Sequence, residues 1–321
     1  MIPTGRSKKK GQDRPDKDTD EVTLVGTRTL RPIQPLPPRA PKGRAGLRWQ
    51  LLDDARIQAQ QIFVKIAVAQ LDAGTSPASN LERLSRAARE VSSQDALVEA
   101  LFFPELFDVG YDLRSLESDH AQDAPWADAE LAALATETNV VLAGGVIDRT
   151  GPGKPFNAFK VVEPARGVSA VYHKRHLVSF MGEPDFLSAG AALVSCAFGG
   201  LRWGLSICYD LRFPEHSRAL ALDHQVDVLA IVSAWPFPRR EHWRTLLRAR
   251  AIENQCYVVA CNRVGTAGRY TFCGSSAIID PFGEVLAEAG SESEEWLTAE
   301  ISPALVSEIR SRLPVRQDRR S

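Results

Sequence analysis

The sequence predicts an α/β domain whose sheet faces are covered by helices, and three observations predict it. The segment "IFVKIAVAQLD" near residue 62 is β-branched and alternating, and "ASNLERLSRAAREV" follows it at helical spacing. The same strand–helix rhythm recurs through both halves of the chain. No low-complexity stretch or linker interrupts it after residue 60.

The elements follow in order. After the first strand, Ser79 or Asn80 reads as the helix cap, with Leu81, Leu84, Ala87 and Ala88 on one face. Next come strand "ALFFPE", helix "ADAELAALATET" and strand "VVLAGGVID". The pair "NAFKVVEP" and "GVSAVYHK" turns at Ala165-Arg166-Gly167. In the second half, strand "LRWGLSIC" leads to helix "PEHSRALALD", opened by Pro214. Strand "VDVLAIVSAW", helix "EHWRTLLRARAIEN" and strand "CYVVACNRV" continue the pattern. A hairpin, "GSSAIIDPFGEVLAEAG", turns at Pro281 and Gly283.

Composition narrows the function classes. With 39 Lys and Arg against 40 Asp and Glu, the formal charge of −1 gives no general attraction to nucleic acid or membrane. Charge, proline and glycine are concentrated at the N-terminus, and roughly the first 45 residues bury too little apolar surface to offset their ordering entropy. Residues 1–60 are therefore expected to be a disordered basic and Pro-rich extension, with a short helix near 47–60 in "LRWQLLDDARIQAQQ". Residues 61–321 form the domain. There is no apolar signal core, and no run approaches the ~20 residues of a membrane span. Cys196, Cys208, Cys256, Cys261 and Cys273 include no C-x-x-C pair, which argues against a disulfide framework or a structural metal and favours the reducing cytoplasm.

Ligands of open α/β sheets collect beyond the carboxyl ends of the strands. There the sequence presents Glu105 after "ALFFP", Lys174 after "GVSAVYH", Cys208 after "LRWGLSI" and Trp235 after "VDVLAIVSA". Any one of these has an ordinary explanation: a packed thiol, a helix-start acid, a solvated lysine. An acid, an amine and a thiol at equivalent strand ends form a reactive set. A thiol of pKa ~8.5 is mostly protonated at neutral pH, so a carboxylate must take its proton before it attacks a carbonyl or nitrile carbon. An ammonium, with a backbone N–H such as that of Tyr209, stabilises the resulting oxyanion. Such chemistry requires no metal or organic cofactor. A Cys–His pair using His173, His176 or His216 is the rival arrangement.

"FFPELF", "YHKRHLV" and "CYDLRFPEHSR" resemble the three signature motifs of the nitrilase, or carbon–nitrogen hydrolase, superfamily, in family order over roughly residues 62 to 318. The resemblance implies a four-layer α-β-β-α sandwich and a homodimer formed across a helical face, or a higher homo-oligomer. It also implies Glu105 as base, Lys174 as oxyanion stabiliser and Cys208 as nucleophile. Glu183 matches a second carboxylate of the family, and Asn157 a position that orders a loop. Asp210 and Arg212 are expected to hold the turn after Cys208 by pairing with each other or with neighbours. The C-terminal arginines are expected at an interface or in solvent. "YHKRHLVSFMGE" and "SAWPFPRREHWRTLLRARAIENQ" look most like the omega-amidase branch, which implies small linear omega-amides of dicarboxylic acids as substrates. Phe107, Tyr111 and Trp235 are then candidate walls, and Arg212, Arg239 or Arg240 the candidate cation for the far carboxylate. A nitrilase, an N-carbamoyl amidase and a catalytically silent binding protein are the alternatives.

Overall fold

The structure is a computed structural model, and it describes residues 63–111, 113, 128–150 and 153–320. The expected N-terminal extension and its helix lie outside these residues. Twelve of the strands form two six-stranded mixed sheets. The first is built from β1 (Val64–Gln70), β2 (Val98–Phe103), β3 (Val141–Asp148), β4 (Phe156–Glu163) and β5 (Gly167–His173), with β14 (Glu295–Ile301) closing its outer edge beside β1. The second holds β6 (Ser195–Phe198), β7 (Leu201–Ile207), β8 (Val228–Ser233) and β9 (Tyr257–Asn262), followed by β12 (Ala277–Ile279) and β13 (Val285–Glu288). A small hairpin of β10 (Thr266–Ala267) and β11 (Tyr270–Thr271) lies outside both.

Each sheet has parallel strands at its centre and antiparallel ones flanking them: β1, β2 and β3 in one, β7, β8 and β9 in the other. The helices explain this arrangement, because parallel neighbours need a crossover. In the first half, α1 (Pro77–Gln94) and α2 (Asp128–Thr138) cross over; in the second, α4 (Pro214–Leu222) and α5 (Arg240–Asn254) do so, while α3 (Glu183–Phe186) is a single turn between the halves. Along β1, Ile66 and Val68 point into a core shared with Trp203, Leu205 and Val259 of the other sheet. Ala67 and Ala69 point instead to an outer core with Leu84, Ala88 and Leu131 of α1 and α2. Burial on both faces makes the strands almost wholly apolar. Helices, sheet, sheet and helices thus stack as a four-layer α-β-β-α sandwich.

Several local readings change. α1 starts at Pro77 with Ser76 as its cap, because proline fits the first helical turn, where no N–H is needed. Asn80 is instead buried, and its amide joins Gly74 to the carbonyl of Asp108. The C-terminal α6 (Pro303–Arg312) and α7 (Val315–Asp318) dock on their own chain, with Arg310 paired to Asp227 at 2.9 Å and Arg316 donating to the Asn254 carbonyl at 2.7 Å. These two arginines are therefore internal struts.

Candidate active site

The parallel strands of both sheets end at a common edge, and the polar residues beyond them meet there. Glu105 follows β2, Lys174 follows β5 and Cys208 follows β7. Glu105 and Lys174 are fully buried, and Cys208 is 6% exposed. Lys174 Nζ donates to Glu105 Oε1 at 2.8 Å and to Glu183 Oε1 at 2.7 Å. Asn157, at the start of β4, donates to the same Glu105 oxygen at 2.7 Å, and the Ala234 N–H donates to Oε2 at 2.7 Å. Glu183 also accepts from the Tyr111 hydroxyl and from the Val178 N–H.

Each buried charge is partnered, as burial demands. Two carboxylates share one ammonium, so the cluster carries an excess negative charge. Burial pushes the Glu105 carboxyl above its ordinary range; Lys174 opposes that shift and the charge of Glu183 adds to it. Burial alone would lower the Lys174 ammonium, but the two carboxylates outweigh it and the net shift is upward. The Cys208 thiol is raised by burial and by Glu105, against the pull of Lys174. The resting site therefore holds a thiol whose nearby buried groups include a carboxyl raised above its ordinary range.

Cys208 adopts φ +46° at the turn from β7 into the short 3-10 segment Cys208–Arg212, and Leu106, next to Glu105, adopts the same φ. Non-glycine residues enter this region at a cost, so the surrounding packing must hold both turns. Arg250 of α5 does so for the cysteine turn, donating to the Leu211 carbonyl at 2.8 and 3.2 Å.

Residues 65–311 match the carbon–nitrogen hydrolase family. The chain belongs to that family. It is 38% identical over 243 residues to the omega-amidase YafV of Escherichia coli K12, spanning 75% of this chain and 90% of the relative. It is 36% identical over 237 residues to the 2-oxoglutaramate amidase of Bacillus subtilis, spanning 74% and 91%. Among solved structures, a CN-hydrolase superfamily protein from Xanthomonas campestris with an arsenic adduct in its active site superposes with a TM-score of 0.72 at 30% identity, covering 81% of this chain and 98% of that one. A variant amidase from Nesterenkonia sp. AN1, with a covalent addition at its active-site cysteine, gives 0.68 at 26% identity, covering 79% and 97%.

Within this carbon–nitrogen hydrolase the remaining candidates separate. Tyr111 reaches the site, but through its hydroxyl on Glu183 and not as a bare apolar wall. Phe107 does not line the site; its ring is fully buried in the outer core, 6.0 Å from that of Phe103. The side chain turns away from the base because Leu106 turns the backbone. Trp235 is nearly buried and packs on Trp243, while its indole N–H donates to the Arg239 carbonyl. Asp210 and Arg212 do not pair with each other. Asp210 bonds to His176, Tyr172 and Ile207, whereas Arg212 stacks over the Trp235 ring at 4.5 Å with no carboxylate partner among the described residues. Arg239 lies over the Phe180 ring at 5.3 Å, close enough for its charge to lower Arg212, after burial. Arg240 is occupied by the Ser275 hydroxyl at 2.9 Å.

The rival histidines have other partners. His173 Nε2 lies 2.7 Å from Asp148, His176 Nδ1 lies 2.6 Å from Asp210, and His216 Nε2 lies 3.1 Å from the Ser206 hydroxyl. His176, Asp210 and His216 also form the one cluster of metal-type ligands among the described residues, but both Asp210 oxygens already accept hydrogen bonds. Sequence reasoning missed Gly145. A Cβ there would lie 2.4 Å from Glu105 Cα and 2.8 Å from the Leu106 nitrogen, so only glycine lets β3 approach Glu105 this closely. The Gly144-Gly145 pair in strand "VVLAGGVID" was the available signal.

Proposed function

We propose that this chain hydrolyses the terminal amide of a small dicarboxylic acid, such as 2-oxoglutaramate, through a Cys208 thioester. The observation that carries the reading is the buried Glu105–Lys174–Cys208 set together with Arg212, which stacks on Trp235, lies 3.5 Å from His242 Nδ1 and has no carboxylate partner among the described residues. The similarity to an omega-amidase and a 2-oxoglutaramate amidase supports the same substrate class.

Glu105 takes the thiol proton as Cys208 Sγ forms a bond to the amide carbon, whose π electrons move onto oxygen. Lys174 has three N–H donors and uses two on carboxylates, leaving one for this oxyanion. The Tyr209 N–H, at the start of the 3-10 turn where helical donors lack an acceptor, supplies the second bond. The Glu105 carboxyl then returns its proton to the leaving nitrogen, and ammonia departs as the C–N bond breaks. Glu105 next deprotonates a water, which attacks the thioester; the thiolate leaves and recovers the proton. Both half-reactions use the base in both protonation states, which suits a carboxyl raised towards neutrality by burial.

Ammonia release from 2-oxoglutaramate and from its methyl ester tests the reading, with Cys208→Ala as control. The free acid should be preferred by about 10–150-fold, the value of one charge-assisted hydrogen bond. Arg212→Ala should remove that preference. Equal turnover of acid and ester by the unaltered enzyme would sink the substrate assignment. Undiminished release by Cys208→Ala would sink the mechanism.

A further inference from the structure

One buried carboxylate that the reaction does not consume is bonded to the flanks of both Lys174 and Cys208. Asp210 is fully buried, and its two oxygens collect hydrogen bonds from three points of the chain. The Tyr172 hydroxyl donates to Oδ2 at 2.6 Å, and the Ile207 N–H donates to the same oxygen at 3.0 Å. The His176 N–H donates to Oδ1 at 3.1 Å, and His176 Nδ1 lies 2.6 Å from that atom. An ionised carboxylate only accepts, so the His176 proton sits on Nδ1.

The pattern of these partners is informative. Tyr172 and His176 stand two residues before and two after Lys174. Ile207 immediately precedes Cys208, and Asp210 follows it by two. One side chain therefore brackets the lysine on the first sheet and the nucleophile on the second. The His176 ring stacks on Phe213 at 3.9 Å, which ties the lysine loop to the start of α4 as well. Asp210 stays ionised: burial would raise its carboxyl, but the hydrogen bonds from His176, Tyr172 and the Ile207 N–H help bring the net shift downward.

We infer that Asp210 is a positioning residue that sets the Lys174 ammonium relative to Cys208 and so aligns it on the oxyanion. This rests on the thioester reading above. Lys174 itself hangs from Glu105 and Glu183, and Glu105 reaches the second sheet only at Ala234, beyond β8, so none of those bonds touches the residues that flank Cys208. The Asp210 bonds supply that link. An asparagine has one acceptor and one donor edge, so it must set N–H against either the Ile207 or the His176 N–H.

The test exploits two reactions of Cys208 that differ in their need for the lysine. Amide hydrolysis passes through an oxyanion. Alkylation by iodoacetamide does not: sulfur bonds to the methylene carbon, iodide leaves and the thiol proton passes to Glu105. For Asp210→Asn the hydrolytic kcat, per alkylatable Cys208, should fall by about 10–150-fold or more, the loss of at least one charge-assisted bond. KM should move less than about threefold and the alkylation rate should stay within about threefold, since neither depends on the oxyanion. Tyr172→Phe removes one bond and keeps the carboxylate, and should show the same split with a loss of about 3- to 10-fold. If Asp210→Asn fails to fold, Tyr172→Phe decides alone. Equal losses in hydrolysis and alkylation, or no loss in either, would overturn the inference. Failure of the thioester reading is distinct, since the unaltered enzyme would then release no ammonia or would be alkylated elsewhere.

Discussion

Replacing Glu183 by glutamine tests whether the excess negative charge of the buried cluster tunes the base. The side chain now uses Oε1 for Lys174 and Tyr111 and Oε2 for the Val178 N–H. Glutamine keeps one acceptor edge only. In one orientation its NH2 faces the Val178 N–H; in the other it faces Lys174 and Tyr111. Either way at least one charge-assisted bond is lost, about 1.5–3 kcal/mol, or about 10–150-fold in kcat. A second effect has a definite sign. Burial raises Glu105 and the Glu183 charge adds to the shift, so removing that charge lowers the Glu105 carboxyl. Glu105 must be ionised to accept the thiol proton, and activity is lost as pH falls through its pKa. The acid limb of kcat/KM should therefore move to lower pH in Glu183→Gln, while kcat on the plateau falls. Ammonia release measured across the acid and neutral range reads both. An acid limb that stays in place, or moves to higher pH, would refute the charge argument; an unchanged plateau would refute the role of Glu183 in holding Lys174.

Gly145→Ala should abolish most activity and lower Tm by several degrees, because its Cβ meets backbone at 2.4 Å and the base must shift; an activity assay beside a melting curve checks it. Brief iodoacetamide treatment near neutral pH should label Cys208 first: burial raises the Cys208, Cys196 and Cys273 thiols alike, but only Cys208 has Glu105 and Lys174 acting on it; peptide mass spectrometry showing even labelling would count against an activated nucleophile. Asp108 is raised to about 7 by burial although three contacts from the Ile147 and Val109 N–H groups oppose it. The folded state thus holds this proton more tightly than the unfolded one, so its contribution to stability falls as pH rises from about 4 to 7, and Asp108→Asn should flatten that part of the Tm–pH curve. Ile252, Phe282, Val285 and Leu286 are exposed on α5 and the β12–β13 hairpin, and we expect a homodimer to cover them; light scattering should give twice the chain mass, and Ile252→Asp should shift it towards the monomer.

The edge that gathers Glu105, Lys174 and Cys208 was legible because it is encoded locally. An apolar run that stops on a charged or nucleophilic residue marks a strand end, and Glu105, Lys174 and Cys208 each end such a run. The same reasoning could not place β14, whose residues "EWLTAEI" are half polar, or the four-residue β6. Both are flanking strands, and they carry little of the apolar signal that marks a strand buried on both faces. Phe107 shows the limit from the other side. Its distance from the strand end was read correctly, but a positive φ at Leu106 redirects the side chain, and no spacing rule registers that.

What remained hidden depends on register between distant segments. Phe103 pairs with Gly144, so at the next positions the Gly145 N–H donates to the Pro104 carbonyl at 3.1 Å, and the Phe107 N–H returns to the Gly145 carbonyl at 2.8 Å. Those two bonds wrap the backbone of Glu105 around Gly145 and fix where the base can sit. Likewise, Ala234 follows β8 by one residue, and its N–H reaches Glu105 only because the edge of the second sheet faces that of the first. The base is thus held by a strand neighbour in its own sheet and by a strand end in the other. A mutation at either place should impair proton transfer without touching an ionisable group, and at Gly145 an added Cβ would meet the Glu105 backbone at 2.4 Å. The chemistry of this site is written at strand ends, but its geometry is written in the pairing of strands far apart in sequence.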